Sequence, residues 1–490
     1  MKVVLALDLG TTGNRVIAFS KSGEVIAKSY YEFPQIYPRP GWVEHDPFDI
    51  LNTTIEALKD VLSSVGADNV VSIGITNQRE TVVLWDKRTG KPVYNAIVWQ
   101  CRRTREICDR LSSHSTLIKT KTGLPLDPYF SATKIQWIIE NVSGIKSRID
   151  KGDILFGTVD SWILWNLTGG RVHATEPSNA SRTLCYNIHT LTFDDELLDL
   201  FGIPRGLLPE VRESGEHFGN TDKTITGREI PVTAILGDQQ AALFAQGGWE
   251  RGVVKNTYGT GLFLMTSTGT KIAESGNLIN TIAWQVGGEA NYAVEGSVFI
   301  GGSCIQWLRE GLQIIKSSAD SEKLAESLES NEGVYFVPAL VGLGAPYWDP
   351  SARGMIIGIT RGTRREHFAR AALEAIAYQT RDVIEEMEGT AGIKFKNLRV
   401  DGGAAENDFL MQFQADILNT TIERPHLIET TAFGAAGLSG IISGFWDRNK
   451  FSEARKIERI FTPNWKDDKR SLHYSRWKNA VSRSMNWAGE

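Results

Sequence analysis

Short apolar strands that end in glycine-rich turns constrain this chain more than any other feature of its sequence. The apolar run at residues 3–7 stops at Asp8, turns through Gly10-Thr11-Thr12-Gly13 and returns as a second run at residues 15–19. Similar turns lie at residues 258–261 and 401–404. Glycine lacks a Cβ and tolerates positive φ, so these clusters indicate either backbone that a ligand approaches closely or plain tight turns.

Strands and helices alternate along the rest of the chain. Further strand-like runs lie at residues 70–75, 81–85, 232–236, 262–265 and 398–400. Asp46-Pro47 is an N-cap and first-turn pair for one helix. We expect a long helix to stop at Gly389 and another to begin after Asn407. The alternation predicts α/β layers, and the two Gly-Thr hairpins indicate mixed sheets.

The length and charge of the chain limit its organisation and partners. Its 490 residues suffice for about two to four domains. The turn at 258–261 echoes the one near Asp8, so we predict domains at 1–246 and 247–490, with a helical tail from about residue 447. Lys plus Arg total 53 and Asp plus Glu 58, a net charge of −5 that argues against a nucleic-acid partner. The tail is locally basic, and a surface-packed helical tail is favoured over a nucleic-acid site.

The sequence also carries signals about the compartment. No apolar run reaches the ~18 residues that a membrane-spanning helix needs, and the first residues show no secretory cleavage pattern. Cys101, Cys108, Cys185 and Cys304 form no CxxC pair. This pattern predicts a cytoplasmic protein that inserts into no membrane.

The first turn combines the groups that bind phosphate and a metal ion. Its backbone N–H groups and the hydroxyls of Thr11 and Thr12 would donate to phosphate oxygens. Asp8 would hold a hydrated Mg²⁺, and Arg15 would add a fixed positive charge. An ordinary hairpin with a buried, capped aspartate is the structural alternative.

The order of these turns resembles the actin-like ATPase superfamily: an acidic Gly-Thr hairpin, a strand-end Asp238, a second Gly-Thr turn and a strand-Gly-Gly-Ala-helix element. Nine segments, which run through nearly the whole chain, are similar to the FGGY carbohydrate kinase family in the family's order. They are residues 8–15, 38–44, 77–81, 97–100, 127–134, 237–243, 256–263, 301–307 and 401–407. Within the family, residues 77–81 with Trp99 and Tyr129 point to glycerol rather than a longer sugar.

The resemblance implies a fold and a reaction. The fold is two actin-like, ribonuclease H-like α/β domains with mixed sheets flanked by helices and an active site in the interdomain cleft. The reaction transfers a phosphoryl group from ATP, with Mg²⁺, to glycerol, and it yields sn-glycerol 3-phosphate and ADP. The resemblance also implies a homodimer or homotetramer.

The resemblance assigns roles to particular residues. Asp238 is the expected general base, whereas the residues alone leave open a cap of the helix near Gln239. The acceptor set is Arg79, Glu80, Trp99, Tyr129, Asp238, Gln239 and Phe263. The nucleotide set is Thr11, Thr12, Gly13, Arg15, Thr260, Gly302, Gln306, Gly403, Ala404 and Asn407. The metal set is Asp8 and Asp238.

The acceptor set suits a small alcohol. Arg79 and Glu80 would donate to and accept from adjacent hydroxyls, and the aromatic side chains would cover the C–H face; a surface ion pair and core packing are the ordinary alternatives. Two other functions stay open. One is a kinase of the same family that acts on a pentulose, hexulose or gluconate, and the other is an actin-like filament or chaperone ATPase.

Overall fold

The computed structural model describes residues 1–250, 252–392, 394–427 and 429–488. It divides into two compact units. The first unit comprises Met1–Ala245, Asn280–Tyr292 and Thr430–Arg455, and the second comprises Gln246–Ile279, Ala293–Glu429 and Lys456–Glu490. The predicted class of two α/β domains is confirmed, and the boundary near residue 246 stays a prediction.

The strands of the described residues are numbered in chain order. They are β1 Val3–Leu9, β2 Gly13–Phe19, β3 Val25–Glu32, β4 Glu44–His45, β5 Val70–Asn77, β6 Val83–Asp86, β7 Ala96–Ile97, β8 Ile154–Gly157, β9 Ala174–Thr175, β10 Tyr186–Asn187, β11 Thr192–Phe193, β12 Glu210–Val211, β13 Gly219–Asn220, β14 Pro231–Gly237, β15 Val253–Tyr258, β16 Leu262–Gly269, β17 Ile279–Val286, β18 Glu289–Val298, β19 Tyr335–Val337, β20 Met355–Ile357, β21 Asn397–Asp401, β22 Ile422–Pro425 and β23 Ile457–Phe461.

The α-helices are numbered in the same way. They are α1 Pro47–Val65, α2 Arg105–Arg110, α3 Ser115–Thr122, α4 Ser131–Asn141, α5 Ile145–Asp150, α6 Val159–Leu167, α7 Pro177–Ala180, α8 Asp195–Phe201, α9 Lys223–Thr226, α10 Asp238–Ala245, α11 Ser303–Glu310, α12 Asp320–Glu326, α13 Arg365–Ala391, α14 Asp408–Leu418, α15 Thr430–Ile442, α16 Arg448–Ala454 and α17 Asp467–Ser484.

A mixed sheet forms the centre of the first unit, with the strand order β13-β14-β5-β1-β2-β3. Strands β1, β5 and β14 are parallel, whereas β2 and β3 are antiparallel to their neighbours. Helix α1 packs against β2 and β3, and α15 packs against β1, β5 and β14. A Cβ at Gly74 of β5 would lie 2.2 Å from the carbonyl oxygen of Ala435, so glycine is required for α15 to approach the sheet this closely.

The sheet of the second unit repeats this arrangement over the strands β16-β15-β21-β22-β23. Strands β15 and β16 form an antiparallel hairpin, as β1 and β2 do, and β15 is parallel to β21 as β1 is to β5. Strand β22 continues parallel to β21, and β23 closes the edge antiparallel to β22. The predicted mixed sheets are therefore present in both units.

Several predicted element ends can be compared with the structure. Asp46 is the N-cap of α1 and accepts a hydrogen bond from the Phe48 N–H, as its position before Pro47 predicts. Helix α14 follows the N-cap Asn407 as expected. The stop at Gly389 is wrong, because α13 continues to Ala391 and ends at Gly392, whose φ of 60° is left-handed. The segment after residue 447 contains strand β23 as well as helices.

Across the residues that the structure describes, none of the helices combines the length and apolar character that crossing a lipid bilayer requires.

Candidate active site

Three parallel strands of the first unit bring the predicted catalytic segments to one edge of the sheet. Leu9 of β1 pairs with Asn77 of β5, and Asn77 pairs with Gly237 of β14. Asp8 and Asp238 therefore lie at the carboxyl ends of strands that are two positions apart. At a strand spacing of ~4.8 Å, these ends are roughly 10 Å from each other. Strand ends in open α/β sheets are a common location for ligand sites.

The turn between β1 and β2 is a closed hairpin. The Gly10 N–H donates to the Gly13 carbonyl oxygen over 3.1 Å. Asp8 and Arg15 face each other across the hairpin, with 3.6 Å between Arg15 Nε and Asp8 Oδ2. The Thr11 hydroxyl accepts a hydrogen bond of 2.9 Å from Trp99 Nε1. The hairpin thus places a carboxylate, a guanidinium and backbone N–H groups side by side, as the sequence predicts.

Two glutamine side chains hold this hairpin, and neither was singled out from the sequence. Gln78 Nε2 donates to the Gly10 carbonyl oxygen over 2.9 Å, and Gln35 Nε2 donates to that of Thr11 over 3.0 Å. Gln78 also accepts from the Thr81 hydroxyl, which in turn accepts from the Trp99 N–H. This network links the hairpin to the segment that carries Trp99.

Asp238 follows β14 and is held on one side by a buried guanidinium. Arg79 Nε lies 3.1 Å from Asp238 Oδ1, and the Arg79 side chain is 2% exposed whereas that of Asp238 is 30% exposed. Arg79 Nη1 also donates to Gln240 Oε1 over 3.2 Å. The Gln239 N–H donates to Asp238 Oδ1 and its Nε2 to Oδ2. The result is an oriented carboxylate that a ligand can still reach.

Glu80 is buried beside Arg79 and is held by a second arginine. Arg182 Nε lies 2.6 Å from Glu80 Oε1, and both side chains are buried. The Arg182 guanidinium carbon lies 5.4 Å from the centre of the Tyr129 ring. Tyr129 meets Trp99 edge-on, with 5.6 Å between the ring centres. The polar and aromatic parts of the predicted acceptor set are therefore connected within the first unit.

Lys134 supports the same segment from inside the protein. Its fully buried Nζ donates to the carbonyl oxygens of Tyr129 and Phe130 over 2.5 and 3.0 Å. Burial lowers the pKa of this amine to about 7. Lys134 lies within residues 127–134, which resemble the family, but no local pattern marks its side chain as pointing into the protein.

A cavity of about 620 Å³ lies within the second unit. Its lining includes six of the predicted nucleotide residues: Thr260, Gly302, Gln306, Gly403, Ala404 and Asn407. The turn after β15 is closed by a bond from the Gly259 N–H to the Gly261 carbonyl oxygen, and the Gly302 N–H donates to the Gly259 carbonyl oxygen. A Cβ at Gly403 would meet no atom within 4 Å. The cavity therefore offers open backbone of the kind that a flat ring system can cover.

The predicted acceptor and nucleotide residues are divided between the two units. Asp8, the hairpin and all acceptor residues except Phe263 belong to the first unit, and the remaining nucleotide residues belong to the second. Phe263 lies on β16 of the second unit, opposite Thr257. Its contact with the acceptor alcohol stays a prediction.

The described residues contain no group of three or more His, Cys, Asp or Glu that would hold a metal ion. Mg²⁺ keeps several of its waters and is commonly bound through one or two carboxylates and phosphate oxygens. A donor set of Asp8 and Asp238 fits that requirement, since both carboxylates end parallel strands of one sheet.

Comparison with known proteins identifies the family. Residues 3–245 match the N-terminal domain of the FGGY family of carbohydrate kinases, and residues 254–442 match its C-terminal domain. The chain belongs to this family. It is 61% identical over the full length of both chains to a protein named glycerol kinase from Aquifex aeolicus. It is 56% identical to glycerol kinase 2 from Thermotoga maritima, over 99% of both chains. The crystal structure of Plasmodium falciparum glycerol kinase with ADP superposes with a TM-score of 0.92 at 37% identity, covering 99% of this chain and 98% of that one.

Proposed function

We propose that this FGGY kinase phosphorylates glycerol with ATP, giving sn-glycerol 3-phosphate and ADP. Full-length identity of 61% to a glycerol kinase is the observation that carries the proposal. The side chains of the first unit support it. Around the proposed acceptor pocket, buried Arg79 and Glu80 offer a donor and an acceptor, and the edge-on pair of Trp99 and Tyr129 offers apolar surface. A triol needs these two kinds of contact.

Asp238 acts as the general base in this proposal. Its carboxylate accepts the proton of a terminal hydroxyl, whose oxygen then forms a bond to the γ-phosphorus as the bond to the ADP oxygen breaks. Arg79 and the Gln239 N–H hold Asp238 in one orientation. Phosphoryl transfer through a loose transition state depends mainly on alignment and charge stabilisation, so a single base with oriented donors suffices.

The hairpin between β1 and β2 would bind the phosphates and, together with Asp238, the metal ion. Backbone N–H groups at residues 11–13, the two threonine hydroxyls and Arg15 would contact phosphate oxygens. Asp8 and Asp238 would hold Mg²⁺, which supplies charge neutralisation for the phosphates when bound. Thr260, Gly302, Gln306, Gly403, Ala404 and Asn407 would border the nucleoside in the cavity of the second unit.

Glycerol-dependent ADP release is the decisive measurement. The purified chain with MgATP is compared with and without glycerol, and in parallel with xylulose and gluconate. We expect ADP release only with glycerol at millimolar concentration. Preference for a pentulose or gluconate would assign the chain to another activity of the family. ADP release without any carbohydrate would favour an actin-like ATPase.

A cytoplasmic location and a homodimer or homotetramer complete the proposal. The four cysteines are free and buried, which is compatible with a reducing compartment. Size-exclusion chromatography with light scattering measures the oligomeric state.

A further inference from the structure

We propose that Arg182 is a positioning residue of the acceptor pocket: it fixes the Glu80 carboxylate and the Tyr129 ring in the geometry that receives the acceptor alcohol. The inference deepens the proposed function and rests on it, because it takes Glu80 and Tyr129 as acceptor-binding groups. Arg182 itself acts through these two residues.

The first support is the ion pair with Glu80. Arg182 Nε lies 2.6 Å from Glu80 Oε1, and the two side chains are 0% and 2% exposed. Arg79 Nε lies 3.8 Å from the same oxygen, so loss of the Arg182 guanidinium would leave the buried carboxylate with a longer ion pair and weaker compensation of its charge. The carboxylate would then protonate or move, and either change alters the group that accepts from the acceptor hydroxyl.

The second support is the backbone of Glu80. Its φ is +63°, a left-handed conformation that residues other than glycine rarely adopt. Such a conformation persists only where the surroundings determine it, and it is concentrated at functional sites. The Ser131 hydroxyl donates to the Glu80 carbonyl oxygen over 3.1 Å, and Arg182 holds the side chain. Glu80 is therefore fixed from two elements, α4 and the turn after α7.

The third support is the aromatic wall. The Arg182 guanidinium carbon lies 5.4 Å from the centre of the Tyr129 ring and 5.2 Å from that of Phe130. A guanidinium at this distance from an aromatic ring is attracted to it. The same side chain thus contacts both the polar and the apolar part of the pocket.

The segment that carries Arg182 is itself anchored to the catalytic strand ends. The Ser178 hydroxyl accepts from the Gly237 N–H, directly before Asp238, over 2.9 Å. The Asn179 and Asn77 side chains exchange two hydrogen bonds of 3.0 and 2.9 Å. The Arg182 N–H donates to the Asn179 carbonyl oxygen. Arg182 therefore extends from backbone whose position is set by β5 and β14.

The test compares Arg182→Gln and Arg182→Lys with the wild-type chain in steady-state kinetics. We expect Arg182→Gln to raise the KM for glycerol at least ~10-fold, since small misplacements of binding groups have large effects, and to leave the KM for ATP within about twofold. Arg182→Lys restores the charge without the planar fork, and we expect an intermediate KM for glycerol.

Arg103 provides a matched control. Its side chain is also fully buried and lies 2.6 Å from the carboxylate of buried Glu44. Its guanidinium carbon lies 3.9 Å from the centre of an aromatic ring, that of Trp42. Neither partner belongs to the proposed acceptor set. We expect both Arg103→Gln and Arg182→Gln to lower the melting temperature, because each removes a buried ion pair. Arg103→Gln should leave the KM for glycerol unchanged. A rise in the KM of both variants would mean that Arg182 has only a structural role.

A double-mutant cycle with Glu80→Gln separates positioning from general stabilisation. If Arg182 acts through Glu80, adding Arg182→Gln to Glu80→Gln changes the KM for glycerol by less than about threefold. The proposal is overturned if the KM for glycerol of the double variant rises by the product of the two single effects. It is also overturned if the KM for glycerol of Arg182→Gln stays within about twofold of the wild-type value. If Arg182→Gln does not fold, Arg182→Lys is measured instead, and a KM for glycerol within about twofold of the wild-type value overturns the proposal.

ADP release by the wild-type chain separates a failure of the proposed function from a failure of this inference. Absence of glycerol-driven ADP release in wild type overturns the glycerol assignment alone. The variants are then compared with the carbohydrate that does drive ADP release, and an unchanged KM for that acceptor overturns the role of Arg182.

Discussion

At the scale of single residues, the proposed reaction depends on the charge of Asp238. Asp238→Asn keeps the size of the side chain but removes its ability to accept a proton. We expect kcat to fall by ~100- to 10,000-fold, the usual contribution of a general base, while the dissociation constant for glycerol changes less than about tenfold. ADP release measures kcat, and equilibrium titration measures glycerol binding.

Asp222 serves as the control for this substitution. Like Asp238 it has an arginine partner, Arg171, and its side chain is 27% exposed. It caps α9 rather than facing the acceptor pocket. Asp222→Asn should leave kcat unchanged. Turnover of Asp238→Asn within about threefold of wild type would remove Asp238 from the mechanism.

The sequence indicates candidates for the chemical groups more readily than the residues that hold those groups in place. Arg79, Glu80 and Asp238 follow strands, where a local pattern marks them. Gln78 and Arg182 act on partners far away in the chain: Gln78 contacts Gly10, 68 positions earlier, and Arg182 contacts Glu80, 102 positions earlier. No local pattern encodes such pairings, so they emerged only from the three-dimensional structure.

At the scale of elements, the turn after β21 tests nucleotide binding. Gly403 begins a short 3-10 helix in the lining of the cavity, and a Cβ there would meet no neighbour. Gly403→Leu should therefore fold normally and place its side chain in the space proposed for the nucleoside. We expect the KM for ATP to rise at least ~10-fold with the KM for glycerol within about twofold, measured by ADP release.

Gly206 is the matched control at this scale. It lies in a 3-10 helix of the first unit, and a Cβ there would also meet no atom within 4 Å. Gly206→Leu should change neither KM. An unchanged KM for ATP in Gly403→Leu would place the nucleoside elsewhere.

Element ends were predictable where a single residue decides them and unpredictable where two compete. Asp46 and Asn407 cap their helices because their side chains satisfy exposed N–H groups. A glycine such as Gly389 inside a helix lowers the stability of the helix by only ~1 kcal/mol relative to alanine. Helix α13 therefore continues to Ala391 and ends at Gly392, which adopts a left-handed conformation. Strand β23 was missed because four of its five residues are exposed, and it shows no alternation.

At the scale of the whole molecule, the repeated arrangement was predictable but the composition of the units was not. The echo between the two Gly-Thr turns anticipated hairpins β1–β2 and β15–β16. Nothing local indicated that Thr430–Arg455 belongs with the first unit. That assignment depends on packing: a Cβ at Gly434 would lie 1.8 Å from the Ala241 carbonyl oxygen, so only glycine allows α15 to approach α10 this closely.

The division of ligand groups between the units leads to a prediction for hydrogen exchange. A ligand that binds only the folded state slows exchange where local opening would release it. Glycerol should protect amides of the first unit near Arg79, Tyr129 and Asp238. Adenosine, which lacks phosphates for the β1–β2 hairpin, should protect the second unit near Thr260 and at residues 403–407.

Peptide-resolved mass spectrometry measures both patterns, with erythritol and cytidine as control ligands. Protection of the first unit by adenosine, or of the cavity by glycerol, would contradict the assignment of the two sites. The proposed contacts of the nucleoside lie in the second unit, and those of glycerol, apart from Phe263, lie in the first.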